Sequence, residues 1–294
     1  MSALAVLKKP KSIRWFYWSV LATIVVVLAV LVLRHEANGG LDPLPVSNLI
    51  RGTGESKSLF VVVHAYRGSI EKMADVRKAI QKVRPDADVL MVQYPAWTFS
   101  NADCFKIAEH LCQEVNGYYT TNKYTNICFV GYSMGALLAR KAYVYGWGRT
   151  EDLSSDPDAP PTIRPALEWA TNGTVKRFVL LAGMNRGWTT RTRPRGMTVL
   201  HQFEYTAGKF IGWATGTGHL IRDCEMGSPF VANLRMQWLE LIHPLPKAQR
   251  PEVIQLLGDT DDVVSSEDNR DVNVSKDFVW VQLSATKHVN ATDF

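Results

Sequence analysis

Ser133 sits between two glycines in "VGYSMGALLARKAY", a G-x-S-x-G spacing with an apolar β-branched stretch before it and a helix-forming stretch after it. A serine at such a strand-to-helix elbow projects its hydroxyl from a sharp turn. The flanking Gly131 and Gly135 allow the close approach of helix to strand that this turn requires. A hydroxyl is a weak nucleophile at neutral pH, so acyl-transfer chemistry at Ser133 calls for a base to take its proton and a carboxylate to orient that base. Taken alone the pattern is short enough to arise by accident in 294 residues, and its partners decide its meaning.

Candidate partners occur later in the chain. "GDTDDVV", after the strand-like "EVIQLL", offers Asp259, Asp261 and Asp262, and "SATKHV", after "FVWVQL", offers His288. The chain order Ser, Asp, His, with each residue just past the carboxyl end of a strand, places all three where open α/β sheets build their sites. His288 is the one histidine that follows both the serine and the acids at a strand end. His35, His110, His201, His219 and His243 are expected to be structural. His64 closes the strand "LFVVVH" and opens the loop "HAYRGS".

The elements that must hold these residues alternate along the chain. Apolar runs "LFVVVH", "DVLMVQY", "NICFVGY", "VKRFVLLAG", "EVIQLLGD" and "FVWVQLS" read as strands. Helical periodicity marks residues 69–84, 101–122 and "MGALLARKAYVYGW"; in the second, Phe105, Ala108, Leu111, Cys112, Val115 and Tyr118 share a face and Asn101 or Asp103 caps the start. Continuous apolar strands separated by helices predict an α/β domain, a mostly parallel sheet with helices on both faces. An irregular insertion, "TEDLSSDPDAPPTIRP", and a region of mixed helical signal at about 184–250 interrupt the alternation. The latter lies where a cap or lid would be inserted, and its Trp188, Phe203, Tyr205, Phe210, Trp213, Phe230 and Trp238 either line an acyl pocket or form the cap's own core. Arg186, Arg191, Arg193 and Arg195 cluster in "RGWTTRTRPRG", a solvated loop or a contact for anionic headgroups.

At these motifs the sequence, from about Ser58 to His288, resembles the α/β-hydrolase superfamily, in particular its lipase- and esterase-like serine hydrolases. The resemblance implies the α/β-hydrolase fold with a cap, and a carboxylic-ester or lipid substrate. It also implies a G-x-x-D-x-x-V loop for the acid, which Gly258, Asp261 and Val264 fit, so that Asp261 is the acid and Asp262 the second choice. Some relatives carry the acid after the preceding strand, but "LLAGMNRGW" has no carboxylate. "HAYRGS" looks like the family's H-G-x oxyanion loop, in which the backbone N–H of Tyr66 joins that of Met134, the residue after the nucleophile. The chain departs from that pattern at Ala65, where the family has glycine; alanine at a positive φ would be strained.

A membrane-anchored serine esterase or lipase is therefore expected, with Ser133, His288 and Asp261 as its triad and no cofactor or metal. A thioesterase, an amidase or an acyltransferase would use the same residues. The alternative from a different class is a catalytically silent binding or tethering module of the same fold, which Ala65 and the short segment after His288 favour.

Composition narrows the partners. With 46% hydrophobic and 21% charged residues the chain is suited to a packed core rather than to disorder. Of the formal charge of +5, four charges come from Lys8, Lys9, Lys11 and Arg14, so the remainder is near neutral and a nucleic-acid partner is not expected. Trp15 to Leu33 carries no charge and, as a helix, is about long enough to cross a bilayer's hydrocarbon. A cleaved signal peptide or a buried core helix are the other meanings of such a run; Arg34, His35 and Glu36 stand where a small-residue cleavage site would be. The basic residues before it place the N-terminus in the cytoplasm and the hydrolase domain on the non-cytoplasmic side. The expected organisation is a basic segment and anchor helix at 1–37, a linker at 38–57 and the hydrolase domain at 58–294. The four cysteines, Cys104, Cys112, Cys128 and Cys224, have no metal-ligand spacing, and the pairing of Cys104 with Cys224 is left open. The N-x-S/T sequons at Asn172, Asn273 and Asn290 matter only in a eukaryotic secretory route.

Overall fold

Short runs of Val, Ile, Leu and Phe form a seven-stranded sheet in the computed structural model, which describes residues 11–37, 43–149, 165–189, 194, 196–270 and 278–292. Its strands are β1 (Asn48–Ile50), β2 (Ser58–Val63), β3 (Asp88–Val92), β4 (Asn126–Tyr132), β5 (Val175–Leu181), β6 (Glu252–Gly258) and β7 (Phe278–Leu283), in the spatial order β1-β3-β2-β4-β5-β6-β7. All run parallel except β1, which pairs antiparallel with β3 at the edge. The expected α/β architecture is thus present, and each of the six expected strands forms.

The chain passes from β2 outward to β3, then returns to lay β4 on the other side of β2. That reversal opens a crevice beyond the carboxyl ends of β2 and β4, the place where ligands enter sheets of this kind. Alternate residues of the strands face opposite layers. Leu59, Val61, Val63, Phe129 and Phe178 pack in one buried cluster with residues of α3 (Cys104–Asn122), α4 (Gly135–Gly146) and α8 (Pro229–Ile242); Val62, Val89, Met91 and Val130 pack on the other face with Val76 of α2 (Ala74–Val83). The remaining helices are α1 (Lys11–Ala37), α5 (Glu168–Thr171), α6 (Val199–Ala214), α7 (His219–Asp223) and α9 (Ser266–Asn269).

Several boundaries differ from expectation for local reasons. The stretch expected to be a linker, 38–57, contains β1, because Ser47 and Gly52 are tied to the domain: the Ser47 hydroxyl donates to Glu114 Oε2 at 2.6 Å and the Gly52 N–H to Asp88 Oδ1 at 2.8 Å. Between the two choices of cap for α3, Asp103 does the work, accepting the Phe105 N–H at 2.7 Å. Cys104, Ile107 and Tyr119 join its buried face, while Phe105 and Tyr118 are only partly covered. The insertion at 150–164, Arg191, Arg193 and Arg195, the basic Lys8 and Lys9, and the Asn273 sequon lie outside the described residues. Cys104 and Cys224 are free thiols whose Sγ atoms stand 3.6 Å apart in the core; burial pushes the Cys104 thiol up.

α1 is an uninterrupted helix of 27 residues, and apolar side chains from Trp15 to Val30 are exposed on it. Among the described residues no helix is long and apolar enough to cross a membrane; the side chains described on α1 are those of residues 15–30. Its helical state follows expectation.

Candidate active site

The turn from β4 into α4 holds Ser133 at φ 54°, in the left-handed region that costs an ordinary side chain about 1–2 kcal/mol. Its surroundings over-determine that conformation. The Ser133 N–H donates to Leu181 O at 2.8 Å, and its carbonyl accepts from Ala136 and Met184, both at 3.1 Å. The flanking glycines are steric necessities: a Cβ on Gly131 would lie 2.6 Å from Ala136 Cα, and one on Gly135 would lie 2.2 Å from Val63 O. The serine is therefore held on a strained elbow at the mouth of the crevice.

Asp261 and His288 come together from separate strand ends. His288 Nδ1 is 2.9 Å from Asp261 Oδ2, and both side chains are buried. The other carboxylate oxygen, Oδ1, accepts the N–H groups of Val263 at 2.8 Å and Val264 at 2.7 Å, which fixes the carboxylate in one orientation. Gly258 makes the approach possible, since a Cβ there would lie 2.1 Å from Thr286 O in the loop that leads to His288. Among the described residues the Asp259 carboxylate accepts only the Thr286 N–H, at 3.4 Å, and Asp262 faces a different cavity.

One contact at the site has no sequence signal. The Tyr132 hydroxyl donates to the His288 carbonyl at 2.8 Å, and its ring stacks on the imidazole with centroids 5.1 Å apart. Tyr132 occupies the variable position of the elbow, so spacing alone marks it as neutral; only the fold brings it over His288.

The loop after β2 lies across the crevice from the elbow. His64 is buried and stacks on Tyr94 at 4.0 Å, Tyr94 donates its hydroxyl to the His64 carbonyl, and His64 Nδ1 lies 2.9 Å from Ala65 O. Burial, the largest influence, lowers its pKa to about 4, so the ring is neutral at physiological pH. A tight turn follows, closed by the Gly68 N–H on Ala65 O at 2.9 Å. The left-handed residue of that turn is Arg67, at φ 56°, and not Ala65. The alanine that departs from the family pattern is therefore unstrained. Arg67 N–H donates to Ala96 O at 2.6 Å, while among the described residues the Tyr66 and Met134 N–H groups donate to no carbonyl.

Ser133 and His288 both line a cavity of about 490 Å³ with His64, Tyr66 and Tyr132. A second cavity of about 300 Å³ adjoins it, and Tyr66, Trp188, Tyr205, Ile221 and Val263 belong to the walls of both. The roof of the second is α6, in the cap segment between β5 and β6. The seven cap aromatics divide among three fates. Trp188 and Tyr205 line the cavities, Phe230 and Trp238 are buried in the core, and Phe203, Phe210 and Trp213 are exposed.

A parallel sheet reversing between β2 and β4, with a serine on a left-handed elbow after β4 and an Asp–His pair at the ends of β6 and β7, defines the α/β-hydrolase fold. Within it, residues 53–155, which carry the elbow and the loop after β2, match the family described as "Putative serine esterase (DUF676)". Among solved structures the chain is similar to Est1E from Butyrivibrio proteoclasticus bound to ferulic acid (13% identity, 83% of this chain and 87% of that one, TM-score 0.46). It is similar also to esterase RhEst1 from Rhodococcus sp. ECU1013 (12%, 83% and 90%, 0.47) and to Paleococcus ferrophilus monoacylglycerol lipase (11%, 83% and 91%, 0.48). A search of curated proteins finds no match.

Proposed function

We propose that the chain is a serine esterase that cleaves carboxylic esters with apolar acyl groups through an acyl-enzyme. The observation that carries the proposal is the 2.9 Å pairing of a doubly anchored Asp261 with His288, which lines the same cavity as Ser133. The family match over residues 53–155 supports the same chemistry.

In the proposed reaction Ser133 Oγ attacks the ester carbonyl carbon while His288 Nε2 takes the hydroxyl proton. Asp261 holds the Nδ1–H tautomer and stabilises the imidazolium that forms. Negative charge on the carbonyl oxygen is met by the N–H groups of Met134 and Tyr66. Collapse breaks the bond to the alcohol, which leaves with the proton from His288. Water, deprotonated by His288, then attacks the acyl-enzyme, releases the carboxylic acid and returns the proton to Ser133.

We assign α1 to a single membrane crossing with the N-terminus in the cytoplasm and the hydrolase domain across the bilayer. The exposed apolar run from Trp15 to Val30 and the basic residues before it support this assignment. Lipid esters would then reach the site from the adjoining leaflet.

Hydrolysis of 4-nitrophenyl esters by the full chain tests the reaction, with Ser133→Ala expected at the background rate. Turnover that survives the substitution contradicts it. Carbonate extraction tests the anchor: retention in the pellet is expected, and release of the intact chain contradicts the crossing.

A further inference from the structure

α6 has two faces that do opposite things. His201, Tyr205, Gly208 and Gly212, spaced three or four residues apart, line the second cavity. On the opposite face Val199, Phe203, Phe210 and Trp213, again three to seven residues apart, point to solvent with Leu200 at the flank. Their exposures are high: Phe203 69%, Phe210 65%, Trp213 68%, Val199 68% and Leu200 65%. The flanking Lys209 is turned to Glu225, at 2.9 Å, and the outer face itself carries no charge. A surface helix of a water-facing domain places its apolar stripe inward and its polar face outward. α6 reverses this order on its solvent side, and three neighbouring aromatic rings uncovered together are a patch that calls for an occupant.

We infer that this outer face docks on the lipid surface, inserting Phe203, Phe210 and Trp213 at headgroup level above the substrate cavity. Two observations choose lipid as the occupant. The same chain carries α1, a longer run of exposed apolar side chains, so the inference rests on the proposed anchoring through α1. The helix that presents the rings is also the roof of the cavity, and Val289, which is 64% exposed, belongs to the walls of both cavities. One helix therefore carries both the exposed rings and a wall of the pocket, so docking through the rings would bring the pocket to the leaflet from which an ester is drawn.

Burying one aromatic side chain changes an association constant by about tenfold, so each ring removed lowers the ratio of docked to undocked chains by about that factor. The experiment uses the full chain carrying Ser133→Ala, reconstituted in phosphatidylcholine vesicles, with an environment-sensitive fluorophore attached through Phe210→Cys. The matched control places the same label through Lys82→Cys, an exposed position on α2. The expected result is a blue shift at position 210 and quenching there by nitroxide-bearing lipid, neither of which occurs at position 82. Adding Phe203→Ser and Trp213→Ser to the chain labelled at 210 is expected to abolish both signals. A label at 210 that is as open to aqueous iodide as the one at 82, on a chain still held in the vesicle, overturns the inference while leaving the anchor intact. Oxidative cross-linking between the position-210 thiols of two chains assigns the face to a second copy and overturns it as well. Because the background lacks Ser133, the result is independent of catalysis; loss of the chain from the vesicle would instead count against α1.

Discussion

His288 Nδ1 lies 2.9 Å from Asp261 Oδ2, and Asp261 Oδ1 accepts two backbone N–H groups from its own loop. A carboxylate held at both oxygens orients the imidazole without being free to rotate away. Asp262, its neighbour in sequence, lines the second cavity instead. Asp261→Asn is therefore expected to lower kcat by about 10³- to 10⁴-fold, the size of effect seen when a triad loses the acid that fixes its tautomer. Asp262→Asn should change kcat by no more than a few fold. Equal effects in the two variants, measured with one soluble ester, would contradict the assignment of the acid.

Tyr132 bonds the His288 carbonyl and stacks on its ring, which in the proposed reaction makes it a positioning residue. Tyr132→Phe keeps the stack and loses a hydrogen bond worth about 1 kcal/mol, so kcat should fall by about fivefold with KM little changed. Tyr132→Ala, which also loses the stack, should fall further and shift the pH–rate profile. A profile unmoved by both substitutions contradicts the positioning role.

Gly208 sits mid-helix in α6 on the cavity face, and no atom lies within 4 Å of where its Cβ would be. Nothing in the packing demands a glycine there, and the space it leaves belongs to the second cavity. Gly208→Leu should raise stability by about 1 kcal/mol through helix propensity. It should also raise KM for long-chain esters while sparing acetates and butyrates. A chain-length profile identical to the parent's would show that substrate does not enter this cavity.

His64 and Asp223 oppose each other in acid. Burial lowers the His64 pKa from 6.5 to about 4, with Glu71 and Lys72 acting in opposite senses as lesser influences. The unfolded chain binds this proton first, so the contribution of neutral His64 is complete above pH 6.5. It is lost as pH falls from 6.5 to 4, in total about 3 kcal/mol. Burial raises Asp223 to about 6, so its contribution is complete below pH 3.8 and is lost as pH rises through 6. In thermal melts, Asp223→Asn should steepen the loss of Tm between pH 6.5 and 4. His64→Gln should reverse that slope over pH 4 to 6. Parallel Tm curves for all three chains contradict the burial of these groups in their neutral and protonated forms.

Much of the sheet was legible because parallel strands covered on both faces must be continuously apolar, as "NICFVGY" and "EVIQLLGD" are. The elbow was legible for a different reason: Gly131 and Gly135 are imposed by contacts with Ala136 and Val63 that the G-x-S-x-G spacing encodes. Gly258 belongs to the same class, since the glycine of the acid loop is what lets Thr286 pass close by. β1 escaped notice because three residues at an antiparallel edge leave no periodicity, and their place is set by side chains distant in sequence, Glu114 and Asp88. Ala65 carries none of the strain its place in the motif suggests, because a turn's left-handed position depends on where its closing hydrogen bond falls. Here that position is Arg67. The aromatics of the cap could not be sorted in advance, since a Trp or Phe in a helix looks the same whether it faces core, pocket or solvent.

The most direct test of the central claim is covalent labelling of the full chain by a fluorophosphonate, followed by mapping of the modified residue. The proposed nucleophile predicts one adduct per chain, on Ser133, absent from Ser133→Ala and strongly slowed in His288→Ala. An adduct that persists in Ser133→Ala, or a folded parent chain that never labels, would contradict it.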